Sequence, residues 1–417
     1  MQNENKNKTE ENKLDKNDHR VLGQELDLFT FSDLVGPGLP LWTPKGTILR
    51  EEINNFVQDL RKKDGYQKVA IPHITKIDLY KKSGHWDKFS EELFQIKTRE
   101  GKEYAMKPMS CPHHTQIFAR KIHSYREMPQ RYSETTMVYR DEQSGELSGL
   151  SRVISITQDD AHVFCRRNQI KEEILKIWNI INIFYKTLGF DLKKVRLSFR
   201  DPIDMKKYLG TPEIWDEAEK ILRELVVEQK INYFEGPGEA ALYGPKLDFM
   251  AETVTGREIQ IATIQLDLNL PERFDLTCVN ENGENERIAM IHAAITGSLE
   301  RCASLLIEHF AGAFPLWLSP VQIKILPISA EKHLAYAEEI FKFLKETIRV
   351  ELDDSNESLG KKIRNAKIQK IPYLIVIGDK ENESKTLTIE TRAGEKIENI
   401  TIENLLQKLQ KEISDKI

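Results

Sequence analysis

A chain of 417 residues, 40% hydrophobic and 30% charged, is long enough for one large core and a smaller second one. No apolar run approaches the roughly 18 residues of a membrane span, and no apolar signal-type stretch opens the chain, so a cytoplasmic protein without membrane contact is expected. A formal net charge of -5 excludes a wholly basic nucleic-acid coat, and four cysteines (Cys111, Cys165, Cys278, Cys302) without a CxxC pair argue against a disulfide framework.

Residues 1–19 are mostly Asn, Lys, Glu and Asp, too poor in apolar side chains to offset the entropy of ordering, and read as a disordered tail. From 20 to 316 helical patterns alternate with short β-like runs, with no repeat or Gly/Ser linker, which predicts one large domain. Ile170, Ile174, Ile177, Trp178, Ile181, Phe184, Tyr185 and Leu188 return at helical spacing and read as core. Arg152–Gln158, Lys246–Glu252 and Glu258–Leu266 alternate like strands. Strands that follow one another without intervening helices predict an antiparallel sheet, hence an α+β domain with helices flanking it.

After Phe314-Pro315-Leu316-Trp317-Leu318-Ser319-Pro320 the pattern becomes βαβαβ: strand Val321–Ile328, helix His333–Glu346, strand Arg349–Asp353, helix Ser358–Lys370 and strand Tyr373–Gly378. A further strand near Thr386–Thr391 and a helix with Ile402, Leu405, Leu406, Leu409 and Ile413 on one face complete a second, α/β domain over 317–417.

Three constellations carry chemistry. Cys111-Pro112-His113-His114 places a thiol and an imidazole at a spacing that could begin a zinc site, or simply be a buried cysteine beside surface histidines. Tyr139-Arg140-Asp141-Glu142 ends a β-like run ahead of a glycine-bearing loop. There Arg140 could fork onto phosphate oxygens and Glu142 accept from an exocyclic amine, or the two could be a surface ion pair. Gly297-Ser298-Leu299-Glu300-Arg301 opens an apolar helical run, either a rigid mount for a cation or a plain helix start.

In this order the three features resemble motifs 1 to 3 of class II aminoacyl-tRNA synthetases. Motif 1 is similar to helix Glu51–Lys63 with Gly65-Tyr66-Gln67-Lys68-Val69-Ala70-Ile71-Pro72, which in the class forms a dimer interface; motif 2 spans Arg140 to Asp160, and motif 3 is Gly297 to Arg301 with its helix. Gly38-Leu39-Pro40-Leu41-Trp42, Gly84-His85-Trp86-Asp87, Met106-Lys107-Pro108-Met109-Ser110-Cys111-Pro112 and Thr157-Gln158-Asp159-Asp160-Ala161-His162 narrow the resemblance to threonyl-tRNA synthetases.

The resemblance implies a homodimer that joins L-threonine to tRNA(Thr) at the expense of ATP with Mg2+, and one Zn2+ per subunit on Cys111, His162 and His292. It implies Arg140 on the α-phosphate, Glu142 on the adenine amine, Arg301 on the γ-phosphate side, and Arg152 and Gln260 near ATP. Gln158, Asp160, Tyr243, Lys246 and Gln265 match the threonine pocket, His85 a histidine near the terminal ribose of tRNA, and Asn356 and Glu381 anticodon contacts. Zinc able to engage the threonine hydroxyl would reject valine, which lacks it, more strongly than an apolar pocket can.

Some positions depart from the family. Ile156 stands for an adenine-stacking phenylalanine, forgoing an interaction of about 1 kcal/mol. Ile154-Ser155 stand for Arg-Gly, Ser148 for a histidine, His113 for a glycine, Ala293 for an arginine beside His292, and Glu390 for an anticodon-contacting arginine. Full-length relatives carry two further N-terminal domains, one of which hydrolyses seryl-tRNA, and the chain is expected to be a form without them. Two other readings are a prolyl enzyme, opposed by Cys111, His162 and His292, and a synthetase-like RNA-binding regulator, opposed by retention of Arg140, Glu142 and Arg301.

Overall fold

In the computed structural model, which describes residues 14–192, 194–252 and 258–417, the chain divides into two compact units. One is built from 33–39 and 53–302, the other from 14–32, 40–52 and 303–417. Of the expected tail, residues 1–13 lie outside the described residues; Asp18 caps helix His19–Glu25 by accepting from Arg20 N.

The first unit carries an eight-stranded sheet in the order Tyr233–Pro237, Lys194–Phe199, Lys246–Glu252, Glu258–Asp267, Ala289–Ala294, Ser155–Cys165, Gln130–Tyr139, Gln67–Lys68. The interior pairings are antiparallel as expected. At the two edges the pairings are parallel, which the run of strands did not foretell. Residues Asp159 to Cys165 are all buried. With both faces covered, the alternation that marks a half-exposed strand vanishes, and the strand read as Arg152–Gln158 instead spans Ser155–Cys165.

Helix Ile170–Thr187 forms where the apolar period predicts and turns Ile174, Ile177, Ile181, Phe184 and Tyr185 inward. Each such side chain contributes on the order of 1.5–3 kcal/mol by leaving water. Phe184 stacks on Phe56, 5.2 Å between centroids, and the Tyr185 hydroxyl donates to the carbonyls of Ile261 and Ile295. The helix thus ties together strand Glu258–Asp267 and the chain leaving Ala289–Ala294. The helix expected at Glu51–Lys63 begins earlier, at Pro44, where a fixed φ and a missing N–H suit a first turn.

The second unit holds a five-stranded sheet in the order Val350–Leu352, Ile323–Pro327, Tyr373–Ile377, Leu387–Thr391, Lys396–Ile400, its first three strands parallel and the rest antiparallel. Strand Lys396–Ile400 has no apolar alternation because it is largely exposed, so the sequence gives no sign of it. Helices Ala330–Leu344 and Ile402–Asp415 close a core of Ile323, Ile325, Ile340, Ile375, Leu405 and Leu409. No helix among the described residues is long and apolar enough to cross a membrane.

Candidate active site and metal centre

One transverse row of the eight-stranded sheet carries much of the site. Across successive strands Ser198 faces Lys246, Lys246 faces Gln265, Gln265 faces His292, His292 faces His162, and His162 faces Tyr132. Side chains directly opposite in antiparallel strands share a face. Lys246, Gln265, His292 and His162, distant in sequence, are therefore neighbours. Two residues along the same strand, Asp160 and then Gln158 continue that face beside His162. The Gln158 amide oxygen is buried without a hydrogen-bond partner among the described residues.

Helix Cys111–Ala119 brings its first residue onto this row. The Sγ of Cys111 and one nitrogen each of His162 and His292 lie within 4.8 Å of one another, all three residues buried. His162 Nε2 and His292 Nδ1 are 3.1 Å apart. Two nitrogens bound tetrahedrally to zinc at roughly 2.0–2.1 Å would stand about 3.3 Å apart, so the spacing and the soft-plus-borderline donor set both fit that ion. Burial, with Asp160 and Asp267 nearby, pushes the Cys111 thiol well up, and burial beside His114 and His292 holds His162 well below the usual histidine range. A bound dication would reverse the first of these, favouring the Cys111 thiolate, and would be served by the second, the neutral imidazole that burial already favours.

Asp267 orients His292: its Oδ2 lies 3.0 Å from Nε2, while its Oδ1 accepts from the backbone of Asn269 and Leu270. The Tyr243 ring stacks on His292 at 4.4 Å between centroids and its hydroxyl donates to Gln265 Oε1 at 2.6 Å. Asp248, fully buried, gathers the far side of the row. It accepts from Arg196, Ser198, Gln260 and Thr263 and lies 3.2 Å from the Lys246 ammonium. Strict alternation would turn Gln260 away from Gln265; an irregularity in the register at Phe249/Met250 restores it to the same face.

Arg140 leaves the end of strand Gln130–Tyr139, its backbone N–H donating to Ile154 O, near enough to Cys111, His85 and Tyr243 to bias their ionisation. Glu142 is engaged by Arg152, at 2.6 Å, and Arg152 also reaches Glu146 at 3.0 Å. Gly38, at φ 69° and receiving Ile154 N–H on its carbonyl, packs where a Cβ would lie 2.9 Å from Leu147, fixing the loop against this hairpin. Arg301 projects, exposed, from the first turn of helix Leu299–His309, and its backbone N–H donates to Ser298. The preceding Gly297 accepts from Asp159 N–H, which docks the third motif onto the second.

His85 is fully buried, with Nδ1 2.7 Å from Ser83 Oγ and Nε2 3.9 Å from Cys111 Sγ, and burial lowers it to about 3. His114 lies beside the cluster with its Nδ1 2.7 Å from His162 Nδ1, and the group of buried donor atoms close enough to hold an ion is that of Cys111, His162 and His292. In the second unit Asn356 is exposed in the loop before helix Leu359–Ile368, whereas Glu381 is turned inward, accepting from Gly378 N and Thr388 Oγ1. Glu390 pairs with Lys367 at 2.7 Å. Sequence reading passed over Asp248 and Asp267; their one visible signal is a carboxylate set in an otherwise apolar strand.

The family model for the tRNA synthetase class II core domain (G, H, P, S and T) matches residues 94–310, and an anticodon binding domain matches 322–412. The chain is 47% identical over 407 residues to a threonine--tRNA ligase of Synechocystis sp., which covers 96% of this chain and 67% of that protein. It is 48% identical over 379 residues to one from Deinococcus radiodurans, covering 91% of this chain and 58% of that protein. The chain thus spans about two thirds or less of the length of these relatives. Among solved structures, the RNA binding domain of a threonyl-tRNA synthetase from Cryptosporidium parvum Iowa II superimposes with a TM-score of 0.89 at 36% identity, over 94% of this chain and 98% of that one.

Proposed function

The chain belongs to the threonine--tRNA ligase family of class II aminoacyl-tRNA synthetases, and from that premise we propose that it converts L-threonine and ATP to threonyl-adenylate and transfers threonine to the 3′ end of tRNA(Thr). The observation that carries the reading is the convergence of Cys111, His162 and His292 on the row that also bears Gln265 and Lys246. Zinc held by those three residues would offer open coordination to the amino and hydroxyl groups of threonine. Tyr243, Gln265, Gln158 and Asp160 border that position and would orient the amino acid by hydrogen bonds.

Arg140, Arg301 and Arg152 would bind the phosphates of Mg2+-ATP, with Glu142 on the adenine amine and Gln260 and Lys246 beside the adenylate. Their task is positioning and charge neutralisation: a threonine carboxylate oxygen attacks the α-phosphorus, the bond to the β-phosphate bridging oxygen breaks, and pyrophosphate leaves. For Glu142 to receive adenine, Arg152 must turn from it to the phosphates. His85, kept neutral by burial, would take the proton of the attacking ribose hydroxyl once the tRNA end has reached it.

Residues 20–316 would act as the catalytic domain and 317–417 as the anticodon reader, in a cytoplasmic homodimer paired through the segment around Glu51–Pro72. Asn356 is open to tRNA, whereas Glu381 would have to release its two internal donors to make a contact. The test is ATP–pyrophosphate exchange on the purified chain with threonine, serine, valine and proline, with zinc measured on the same sample. Exchange with threonine, weaker with serine and absent with valine, at one zinc per chain, is expected. Exchange with proline but not threonine would overturn the substrate, and a zinc-free active protein the metal.

A further inference from the structure

We infer that Lys362 is a positioning residue for the anticodon contact: its ammonium and its backbone N–H grip the two ends of the loop 354–358 and so hold Asn356 in place for a base of tRNA. The inference rests on the anticodon reading of Asn356 above and concerns a residue that reading does not use.

The loop follows strand Val350–Leu352 and leads into helix Leu359–Ile368, and every residue from 354 to 358 is exposed. With no buried side chain of its own, it owes its path to its ends. At the first end, Asp353 N–H donates to Ile325 O, and the Asp353 carbonyl accepts from Lys362 Nζ at 2.9 Å. At the second, the Ser358 carbonyl accepts from Lys362 N–H at 3.0 Å. Lys362 Nζ also donates to Pro327 O at 3.2 Å, which ties the loop to the end of the neighbouring strand Ile323–Pro327. That strand and Val350–Leu352 are parallel, so both contacts lie at carboxyl ends. Ligands of open α/β sheets bind outside the carboxyl ends of their strands.

Within the loop, the Asp353 carboxylate accepts from Ser355 N–H at 3.2 Å and from Ser355 Oγ, and Glu357 pairs with Lys361 at 2.7 Å. These contacts brace the chain on both sides of Asn356 and leave Asn356 itself exposed. Lys362 is only 2% exposed, and both side-chain partners it has among the described residues are carbonyls. Burying an ammonium on neutral acceptors costs stability that an apolar side chain of the same length would not. Packing alone would be served by methionine. The ammonium adds what methionine lacks: donors for two carbonyls from different strands, and a positive charge beneath a loop that carries Asp353, Asp354 and Glu357 and would have to receive a polyanion.

The experiment compares the full wild-type chain with Lys362→Met, Asn356→Ala and the double variant. It reads threonine-dependent ATP–pyrophosphate exchange, the KM and kcat of charging with a tRNA(Thr) transcript, and amide hydrogen exchange at Asp353 and Ser355. In Lys362→Met we expect unchanged pyrophosphate exchange and kcat, an about tenfold higher KM for tRNA(Thr), and faster amide exchange at both residues. Asn356→Ala should raise the same KM, and the double variant should go little beyond the larger single effect, because both changes remove one contact. An unchanged KM or unchanged loop amides in Lys362→Met overturns the inference, as do two KM effects that multiply in full. A joint fall in pyrophosphate exchange, kcat and melting temperature shows a merely structural lysine and refutes it as well. If Lys362→Met does not fold, wild type decides: Asp353 and Ser355 amides protected before tRNA is added support a preset loop, and amides protected only with tRNA refute it. Should Asn356→Ala leave the KM unchanged, the anticodon reading of Asn356 fails by itself, while the loop amides still test the grip of Lys362.

Discussion

Arg61, near the end of helix Pro44–Lys63, and Asp159, in the middle of strand Ser155–Cys165, form an ion pair closed to solvent, with side-chain exposures of 1% and 0%. The second guanidinium nitrogen donates to Ala293 O, and the free carboxylate oxygen accepts from the backbone of Ile295 and Thr296. The pair thereby holds the chain between His292 and Gly297, joining the candidate metal position to the first turn that carries Arg301. The carbonyl of Ala293, beside His292, is thus reached by a guanidinium from another element.

Arg61→Leu should accordingly strand a buried carboxylate, costing about 3–5 kcal/mol. A lower melting temperature and denaturant midpoint are expected, with weakened ATP use in the fraction that folds. A variant as stable as wild type would show that Asp159 finds another counter-charge.

Cys111→Ser should remove zinc and threonine-dependent exchange together, because a hydroxyl offers no thiolate to the donor set. Metal analysis and exchange on one preparation check this. Retention of both would refute the assignment of the metal to this triad.

Ile156→Phe should tighten ATP binding. Ile156 sits opposite Val138 at the open end of the sheet and is only half-buried, so a ring can be admitted without displacing core. Aromatic contact is worth about 1 kcal/mol, or roughly a fivefold fall in the KM for ATP at unchanged kcat. An unchanged KM would mean that adenine does not lie over this position.

Glu173 and Arg131 give a pH signature remote from the site. Burial pushes the Glu173 carboxyl up, but hydrogen bonds from Arg131, at 2.6 and 2.7 Å, and from Lys176 outweigh it and hold it below its usual value of 4.5. A depressed carboxyl stabilises the fold above its unfolded value and loses that contribution as pH falls through the folded one. Glu173→Gln should therefore cost about 2 kcal/mol at pH 7, and the gap to wild type should close below about pH 4.5. A gap that persisted in acid would point to packing rather than charge.

The amphipathic helices, the antiparallel interior of the sheet and the βαβαβ order of the second unit could be read from the chain, since period and element order are local properties. The candidate donor triad could not be derived that way. Cys111 and His114 lie one turn apart and suggest each other, whereas His162 and His292 are neighbours only because their strands pair, and it took a family resemblance to select them. Asp248 and Asp267 escaped notice because their meaning lies in cross-strand partners. The parallel edges were equally hidden, since Gln67–Lys68, Lys194–Phe199 and Tyr233–Pro237 were not read as strands from the sequence.

The row from Ser198 to Tyr132 makes strand register the measuring rule of this site. Sliding Ser155–Cys165 by one residue would turn His162 to the opposite side of the sheet and bring Ala161 or Val163 into its place. Insertions and deletions should consequently be tolerated in turns such as 280–284 and excluded within the row's strands, whatever their effect on stability. Over evolutionary time the pocket's chemistry can drift side chain by side chain, while the lengths of the strands that carry it stay fixed.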